Sequence, residues 1–450
     1  MTMSDNSPKK TITPRRDFLK AGTAAVAAAG VVSSTPGLSI ARSAYPGGSE
    51  TVRVGLIGCG GRGRGAAGNA MSANSGSVNL TAVADVFEDR VNAAAEQLKV
   101  NHGDKVQIKP ENKFIGYDAF EKVIGSDDVD LVILTTPPGF RPLHFEKAVE
   151  AGKHVFMEKP VAVDAPGVRR VLAANKIAKD KNLLVQVGLQ RRHERAYRET
   201  ISRLKDGAIG DINLLRCYWN GGGVWDRPRQ EGDTEMKYQM RNWYYFNWLC
   251  GDHINEQHIH NLDVCNWLMD GYPVKAQGQG GREVRTGKNF GQIFDHHLIE
   301  YTYDNDCKMY SQCRHIKDAW RNVSEHAHGS EGYCNISGGY IQNNGETVWE
   351  YGKGGRGGHQ QEHHDLFADM AQGLRPNEGD YGALSTMTAI MGRMATYSGK
   401  EITWDQAFGS DLSLADVDAM TSFDDPAPLE PDAEGKYWVP VVGKSWDEVL

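Results

Sequence analysis

The amino-acid sequence predicts an α/β domain built on a parallel sheet, followed by an α+β domain built on an open, mainly antiparallel sheet. Three observations predict it. Apolar strand runs alternate with helical runs between residues 52 and 192, the pattern of a parallel sheet with right-handed crossovers. A glycine-rich loop follows the first of those strands and opens a helix, the order that a dinucleotide site requires. Further on, EYTYDNDCKMYSQCRH, residues 300–315, and neighbouring runs alternate with period two, as antiparallel strands do.

The chain begins with a different kind of segment. TPRRDFLKAG, residues 13–22, places Arg15 and Arg16 before Phe18, Leu19 and Lys20, and a weakly apolar run extends from Ala21 to Val32. That run is too short to span a bilayer as a helix. A charged start, a short apolar middle and a small-residue end make a secretory signal. The paired arginines resemble a twin-arginine signal, which carries folded proteins across the bacterial inner membrane. Residues 1–44 are read as signal peptide and linker, with the twin-arginine export machinery as a partner and the periplasm as the destination. Cleavage is expected near Ile40 to Ala44.

The remaining chain, about 400 residues, is too long for one core and implies two domains. The expected division is 50–190, 191–407 and an extended tail, 408–450. Composition is that of a globular protein, 40% hydrophobic and 24% charged, and the formal charge of −8 argues against a nucleic-acid surface. The seven cysteines are scattered, with no CxxC pair. They read as a fold completed in a reducing compartment, not as a disulfide framework.

The first domain is legible element by element. VRVGLIGCGGRG, residues 52–63, is a buried strand run ending in Gly58, Gly60 and Gly63 at G-x-G-x-x-G spacing. Ala66, Ala67 and Ala70 suit a helix packed close to a sheet. Glycines let the backbone approach a pyrophosphate seated on the helix N-terminus, so the loop Gly58, Cys59, Gly60, Gly61, Arg62 and Gly63 is assigned to a dinucleotide. NLTAVADVF, residues 79–87, is the next strand, with Asp85 at its end. An acid there accepts hydrogen bonds from the ribose hydroxyls and repels a 2′-phosphate, which favours NAD over NADP, although Arg90 lies only five residues on. This is the Rossmann pattern. VDLVILTTPP (129–138) is a fourth strand, LHFEKAVEAG (143–152) a helix ended by Gly152, KHVFMEKP (153–160) a fifth strand and LLVQVGLQRR (183–192) a sixth. Ligands bind beyond the carboxyl ends of such strands, where Thr136, Pro137, Glu158, Lys159 and Gln190 fall.

In the second domain, residues 252–268 are placed on one helix. Asp252, Glu256, His260 and Asp263 then share an arc of about 80°, opposite Ile254, Leu262, Cys265 and Met269. A polar stripe of acids and a histidine without lysines is not an ordinary solvated face. His253, Glu256 and His260 also offer a zinc-like ligand set. HExxH is absent, however, and no metal site is assigned. His258 is read as a packing histidine. Of Trp225, Trp243 and Tyr244, one or two are expected to touch substrate, since aromatics stack on sugar rings. Arg192, just past the sixth strand, is a further candidate, and HQQEHHDLFADMAQGL, residues 359–374, is a helix carrying a histidine cluster.

AGKHVFMEKP, residues 151–160, resembles a signature of the glucose–fructose oxidoreductase, inositol dehydrogenase and rhizopine-catabolism oxidoreductase family. The resemblance covers the glycine loop, Asp85, the EKP motif and the second-domain helix. It implies that Lys159 lies beside the nicotinamide and polarises the substrate hydroxyl. It also implies that His260 is the general acid/base and that Glu256 orients it or binds a neighbouring hydroxyl. Family members show D-x-x-x-H-x-x-D on this helix, and here it reads Glu256, His260, Asp263. They also carry a histidine where this chain has Arg141, so that role is not transferred to His144.

The catalytic set is therefore Lys159, His260 and Glu256, and the substrate set Lys159, Arg192, Tyr244, Asp252, Glu256 and His260. The expected activity is that of an exported NAD-dependent oxidoreductase acting on a sugar, sugar derivative or cyclitol with a tightly bound cofactor, in a homo-dimer or homo-tetramer. Two alternatives stand beside it: a glycosidase that works by transient ketone formation and elimination, and an exported sugar-binding protein without catalysis.

Overall fold

The computed structural model describes residues 51–355 and 357–443; the twin-arginine segment lies outside the described residues. Two sheets organise the chain. The first holds strands β1 (Thr51–Ile57), β2 (Ser77–Asp85), β3 (Lys113–Ile115), β4 (Leu131–Leu134), β5 (His154–Met157) and β6 (Val185–Val187) in the order β3-β2-β1-β4-β5-β6. Every pairing in it is parallel. The strands are buried on both faces, and Val54, Leu56 and Ile133 are each at most 1% exposed. Helices α1 (Gly61–Met71), α2 (Glu88–His102), α3 (Arg141–Glu150) and α4 (Ala165–Asp180) cross between strands. The order reverses at β1, so the carboxyl ends of β1 and β4 open a crevice there.

The strands predicted at 79–87, 129–138, 153–160 and 183–192 are present but shorter at their carboxyl ends, because Pro137, Pro160 and the turn Gln190–His193 take the chain out of the sheet. The short edge strand β3 is the third strand that the sequence reading counts without placing: Lys113–Ile115 is three residues long and half exposed, with no apolar run to mark it.

The second sheet holds, among the described residues, β7 (Ile212–Gly221), β8 (Lys275–Gly281), β9 (His296–Thr302), β10 (Lys308–His315), β11 (Asn322–Gly329), β12 (Tyr333–Asn335), β13 (Tyr340–Asn343), β14 (Glu346–Glu350) and β15 (Ile402–Thr403). Its order is β14-β13-β12-β11-β7-β10-β9-β8-β15. All pairings are antiparallel except β7 with β10. No helix among the described residues is long and apolar enough to cross a membrane.

One expected element is broken. The helix placed at 252–268 is two helices, α5 (His253–Glu256) and α6 (Ile259–Met269), parted at Gln257 and His258. Asp252 caps the first with φ +73° and its own carboxylate on the His253 amide. The single polar stripe therefore does not exist: His260 and Asp263 are nearly as buried as Leu262 and Cys265. The tail crosses its own chain, with Phe423 stacked on Phe87 at 5.0 Å and Tyr437 edge-on to Phe246 at 4.9 Å.

Candidate functional site

The glycine loop shows which of its glycines the fold needs and which it does not. Gly58 has φ +99°, and a Cβ on Gly63 would stand 2.0 Å from the Gly58 carbonyl oxygen. Both are glycine because the turn and the close approach of α1 to the strand require it. A Cβ on Gly60 or Gly61 would meet no protein atom within 4 Å. Gly60 is the N-cap of α1, no side chain caps that end, and no acid occupies the first turn. The first amides of an 11-residue helix are thus left facing a cavity, the arrangement that receives phosphate.

That cavity, of about 520 Å³, is lined by Gly58, Gly60, Gly61, Arg62, Gly63 and Asp85, with Thr136 and Pro137 across from them. Asp85 Oδ2 accepts from the Cys59 amide at 2.8 Å and Oδ1 from the Phe87 amide at 3.0 Å, which fixes the carboxylate at the end of β2. Burial raises its pKa against the pull of Arg90. Cys59, predicted as a cofactor contact, contributes only that amide: its thiol is buried and turned to the Ala84 carbonyl. The far wall comes from the second domain, through Trp225, Arg227, Met240, Arg241 and Trp243. Arg241 holds Asp89 through two 2.8 Å bonds and covers the Phe87 ring at 3.9 Å.

Past the carboxyl end of β5 two of the predicted catalytic residues, Lys159 and Glu256, meet. Lys159 Nζ donates to Glu256 Oε1 at 3.1 Å and to the Glu256 backbone carbonyl. Both side chains are nearly buried, at 11% and 14% exposure. His260 is close enough to Lys159 that, after burial itself, the lysine charge is the largest influence holding its pKa well below the usual histidine value. The His260 ring lies on Trp219 at 5.9 Å, and its Nδ1 has no hydrogen-bond partner.

Glu158, the residue before Lys159, binds Arg62 of the glycine loop, and Arg62 reaches on to Glu362 at 3.1 Å. Burial alone would raise Glu158, but Arg62 and Lys159 outweigh it and hold it below the ordinary carboxylate value; burial with Glu158 nearby pushes Glu362 up to about 7. Glu362 sits on α7 (Gly358–Ala371), the helix predicted at 359–374. Sequence reading singles out the histidines there and passes over Glu362, although it stands among them in HQQEHH.

Other predicted residues are placed elsewhere. Neither Glu158, Lys159 nor Gln190 lines the 520 Å³ cavity. Gln190 opens a short turn with its amide oxygen buried and unbonded. Arg192 is taken up by Asp263, which it grips at 2.8 and 3.1 Å, and it stacks on Tyr381 at 3.9 Å. Asp252 is fully buried, its Oδ2 accepting from the Phe294 amide at 3.0 Å and the Tyr397 hydroxyl at 2.5 Å. Neither is therefore presented to a substrate. Tyr244 is 3% exposed, and burial together with the Glu256 charge raises its pKa well above the ordinary value. His258 packs as expected, its Nε2 2.7 Å from Ser311 Oγ. Arg141 and His144 are buried side by side, Arg141 donating to the Thr136 carbonyl and His144 lying 3.1 Å from the Thr136 hydroxyl.

A second hollow, of about 480 Å³, is lined by Trp219, Asn220, Gln257, His315, Arg321 and Asn322. Trp219 is the ring against His260, and Gln257 follows Glu256 in sequence. The hollow's lining sets amide, guanidinium and imidazole groups beside the Trp219 ring, a combination that suits a hydroxylated ring.

Residues 52–189 match the model of a family described as "Oxidoreductase family, NAD-binding Rossmann fold", so the first domain is an NAD-binding Rossmann domain. An inositol 2-dehydrogenase of Ralstonia nicotianae is 31% identical over 238 residues, which is 52% of this chain and 59% of that protein. An inositol 2-dehydrogenase 3 of Saccharopolyspora erythraea is 29% identical over 272 residues, 60% of this chain and 69% of that one. The chain thus spans about six tenths of the first relative's length. Among solved structures, a levoglucosan dehydrogenase in complex with NADH and levoglucosan superposes with TM-score 0.63 at 17% identity, over 79% of this chain and 100% of that one. An aldose–aldose oxidoreductase from Caulobacter crescentus complexed with glycerol gives 0.62 at 18%, over 79% and 100%. These two share the fold of both domains.

Proposed function

We propose that this chain is an NAD-dependent oxidoreductase that oxidises a secondary hydroxyl of a sugar, sugar derivative or cyclitol. The observation that carries the reading is the Lys159–Glu256–His260 cluster at the end of β5, beside a glycine-loop cavity whose Gly60 and Gly61 are free of any packing demand. Gly58–Gly63 would hold the pyrophosphate and Asp85 the adenosine ribose. The bound nicotinamide supplies the hydride acceptor. Lys159 donates a hydrogen bond to the substrate hydroxyl, and Glu256 fixes the direction of that donor. His260, whose pKa burial and the Lys159 charge hold well below the usual histidine value, takes the hydroxyl proton as the carbonyl forms. The hollow bounded by Trp219 and Gln257 receives the ring. The relatives named as inositol and levoglucosan dehydrogenases support a polyhydroxylated ring as substrate.

Arg15 and Arg16 with the following apolar run support export of the folded protein to the periplasm. The second-domain wall of Trp225, Arg241 and Trp243 supports a dinucleotide that stays seated through turnover. A seated dinucleotide must be returned to its starting state within the cycle, by reducing a second sugar or by reducing the ketone again after elimination and hydration. The test is the absorbance of purified protein in the reduced-nicotinamide band, before and after adding candidate sugars without free NAD. A rise of up to about one equivalent per chain is expected, reached when no second sugar is present and the ketone is not reduced again. Protein that neither contains nor binds nicotinamide dinucleotide overturns the reading. Product analysis of the same mixtures then separates an oxidised sugar from a hydrolysed glycoside.

A further inference from the structure

The core of the second domain holds a group of side chains that the proposed chemistry does not use. Asp252, His253 and His297 are each at most 2% exposed, and one donor atom from each lies within 4.8 Å of the others. Asp252 Oδ1 is 3.3 Å from His297 Nε2 and 3.8 Å from His253 Nε2. Donors bound at about 2.0 Å to one tetrahedral zinc ion stand about 3.3 Å apart; the Asp252–His297 separation has that value, and the His253 ring has to draw in to complete the set.

The hydrogen bonding points the same way. His297 Nδ1 lies 2.9 Å from Thr396 Oγ1, while its Nε2 has no hydrogen-bond partner and faces Asp252 Oδ1 at 3.3 Å. His253 is in greater difficulty. It is stacked on His315 at 4.2 Å, and neither of its ring nitrogens has a hydrogen-bond partner. Buried imidazole N–H groups are ordinarily paired. A proton shared by His297 and Asp252 would satisfy that pair and leave His253 unpartnered, whereas a divalent ion engages all three.

We propose that Asp252, His253 and His297 form a buried binding site for a divalent transition-metal ion of the zinc class. Two imidazoles and a carboxylate are a zinc donor set, and three protein donors leave one position to a water. The Thr396 contact is the outer hydrogen bond that fixes the tautomer and orientation of a metal-binding histidine. The ligands come from three places: the turn before α5, the α5 N-terminus and β9. The Asp252 carbonyl accepts from the Glu256 amide at 2.9 Å, so the ion would tie the turn that carries Glu256 to the second sheet. This set differs from the His253, Glu256 and His260 trio considered from the sequence, because Glu256 is held by Lys159 instead.

The experiment uses the untagged full chain produced in zinc-supplemented medium and washed without chelator. Elemental analysis is expected to give about one zinc per chain. Protein produced with cobalt is expected to show the visible ligand-field bands of a tetrahedral nitrogen–oxygen site. His297→Gln and His253→Gln should each bind the metal at least about tenfold more weakly, while His363→Gln, outside the group, keeps it. If either variant fails to fold, the cobalt spectrum and zinc content of the unaltered chain decide. Wild-type protein with less than about a tenth of an equivalent after zinc loading, or an ion that survives both substitutions undiminished, overturns the proposal.

Discussion

The Lys159 ammonium is held by one residue twice, through the Glu256 carboxylate at 3.1 Å and the Glu256 backbone carbonyl. The pair joins the end of the parallel sheet to the helix turn of the other domain, so the lysine points where the second domain tells it to. Lys159→Met is expected to lower kcat by at least about a thousandfold, the range of a lost proton-handling group, with NAD still bound. Glu256→Asp, the residue that family members carry, should retain more activity than Glu256→Gln. Release of NAD by Lys159→Met at wild-type protein concentration, read by chromatography of the denatured protein, would contradict the assignment.

His260 gives a pH prediction. Burial and the Lys159 charge keep it neutral well below the ordinary histidine value of 6.5. A base must be unprotonated to accept, so kcat/KM should hold steady as pH falls through 6.5 and decline only below it. His260→Ala should abolish turnover at every pH. An acid limb centred at or above 6.5 in the unaltered enzyme would show that some other group is titrating.

The two kinds of glycine in the loop should separate cleanly. Gly63→Ala drives a Cβ to 2.0 Å from a backbone oxygen, and such overpacking costs about 1–3 kcal/mol or more. Thermal unfolding without cofactor should show the loss. Gly60→Ala meets nothing, so its melting temperature without cofactor should be unchanged while NAD affinity falls. Asp85→Ala should weaken NAD by about tenfold or more, in line with about 1–3 kcal/mol for stranding the polar groups it serves; calorimetric titration reads both.

Acid should unfold this protein early. Burial lowers His144 and His363 to about 3 and His154 to about 4. In the unfolded chain each takes up a proton near pH 6.5, so below that value the unfolded state binds more protons. Stability then falls with falling pH, by up to about 1.4 kcal/mol per pH unit for each group. His193 acts in the opposite sense: burial would lower it, but Asp365 and Glu378 raise it to about 9, so its contribution is full below pH 6.5 and fades toward pH 9. Denaturant midpoints between pH 4 and 7 are expected to slope steeply upward, and His154→Gln should flatten them.

Trp225 is 41% exposed yet forms part of the cavity wall, edge-on to Trp243 at 5.9 Å. Trp225→Ala should speed NAD dissociation by about tenfold with little change in melting temperature. An unchanged dissociation rate in a stopped-flow displacement would move the barrier elsewhere, to the Arg241–Asp89 clasp or the tail.

The parallel sheet was legible because its strands are buried on both faces and read as unbroken apolar runs, Val52 to Ile57 and Leu131 to Leu134 among them. The glycine loop and Asp85 were legible from motif order, and Lys159 and Glu256, singled out through the family resemblance, are in contact. The broken helix was not legible, because the wheel for 252–268 assumes continuous helical backbone, and the left-handed φ of Asp252 and the stop at Gln257 leave no sequence mark. Arg192 and Asp252 were misplaced for one reason: a charge in a motif is equally a binding group or half of a buried pair, and Asp263 and Tyr397 decide which. Glu362 and the Trp219–Gln257 hollow depend on contacts between residues far apart in the chain, which periodicity does not carry.

The segment walling the dinucleotide cavity, residues 222–243, runs with only a short turn and one helical turn between into the stretch bearing Asp252 and Glu256. Wall and catalytic turn are thus one stretch of backbone, so a substitution that displaces the wall is expected to be felt at the Glu256–Lys159 contact as well.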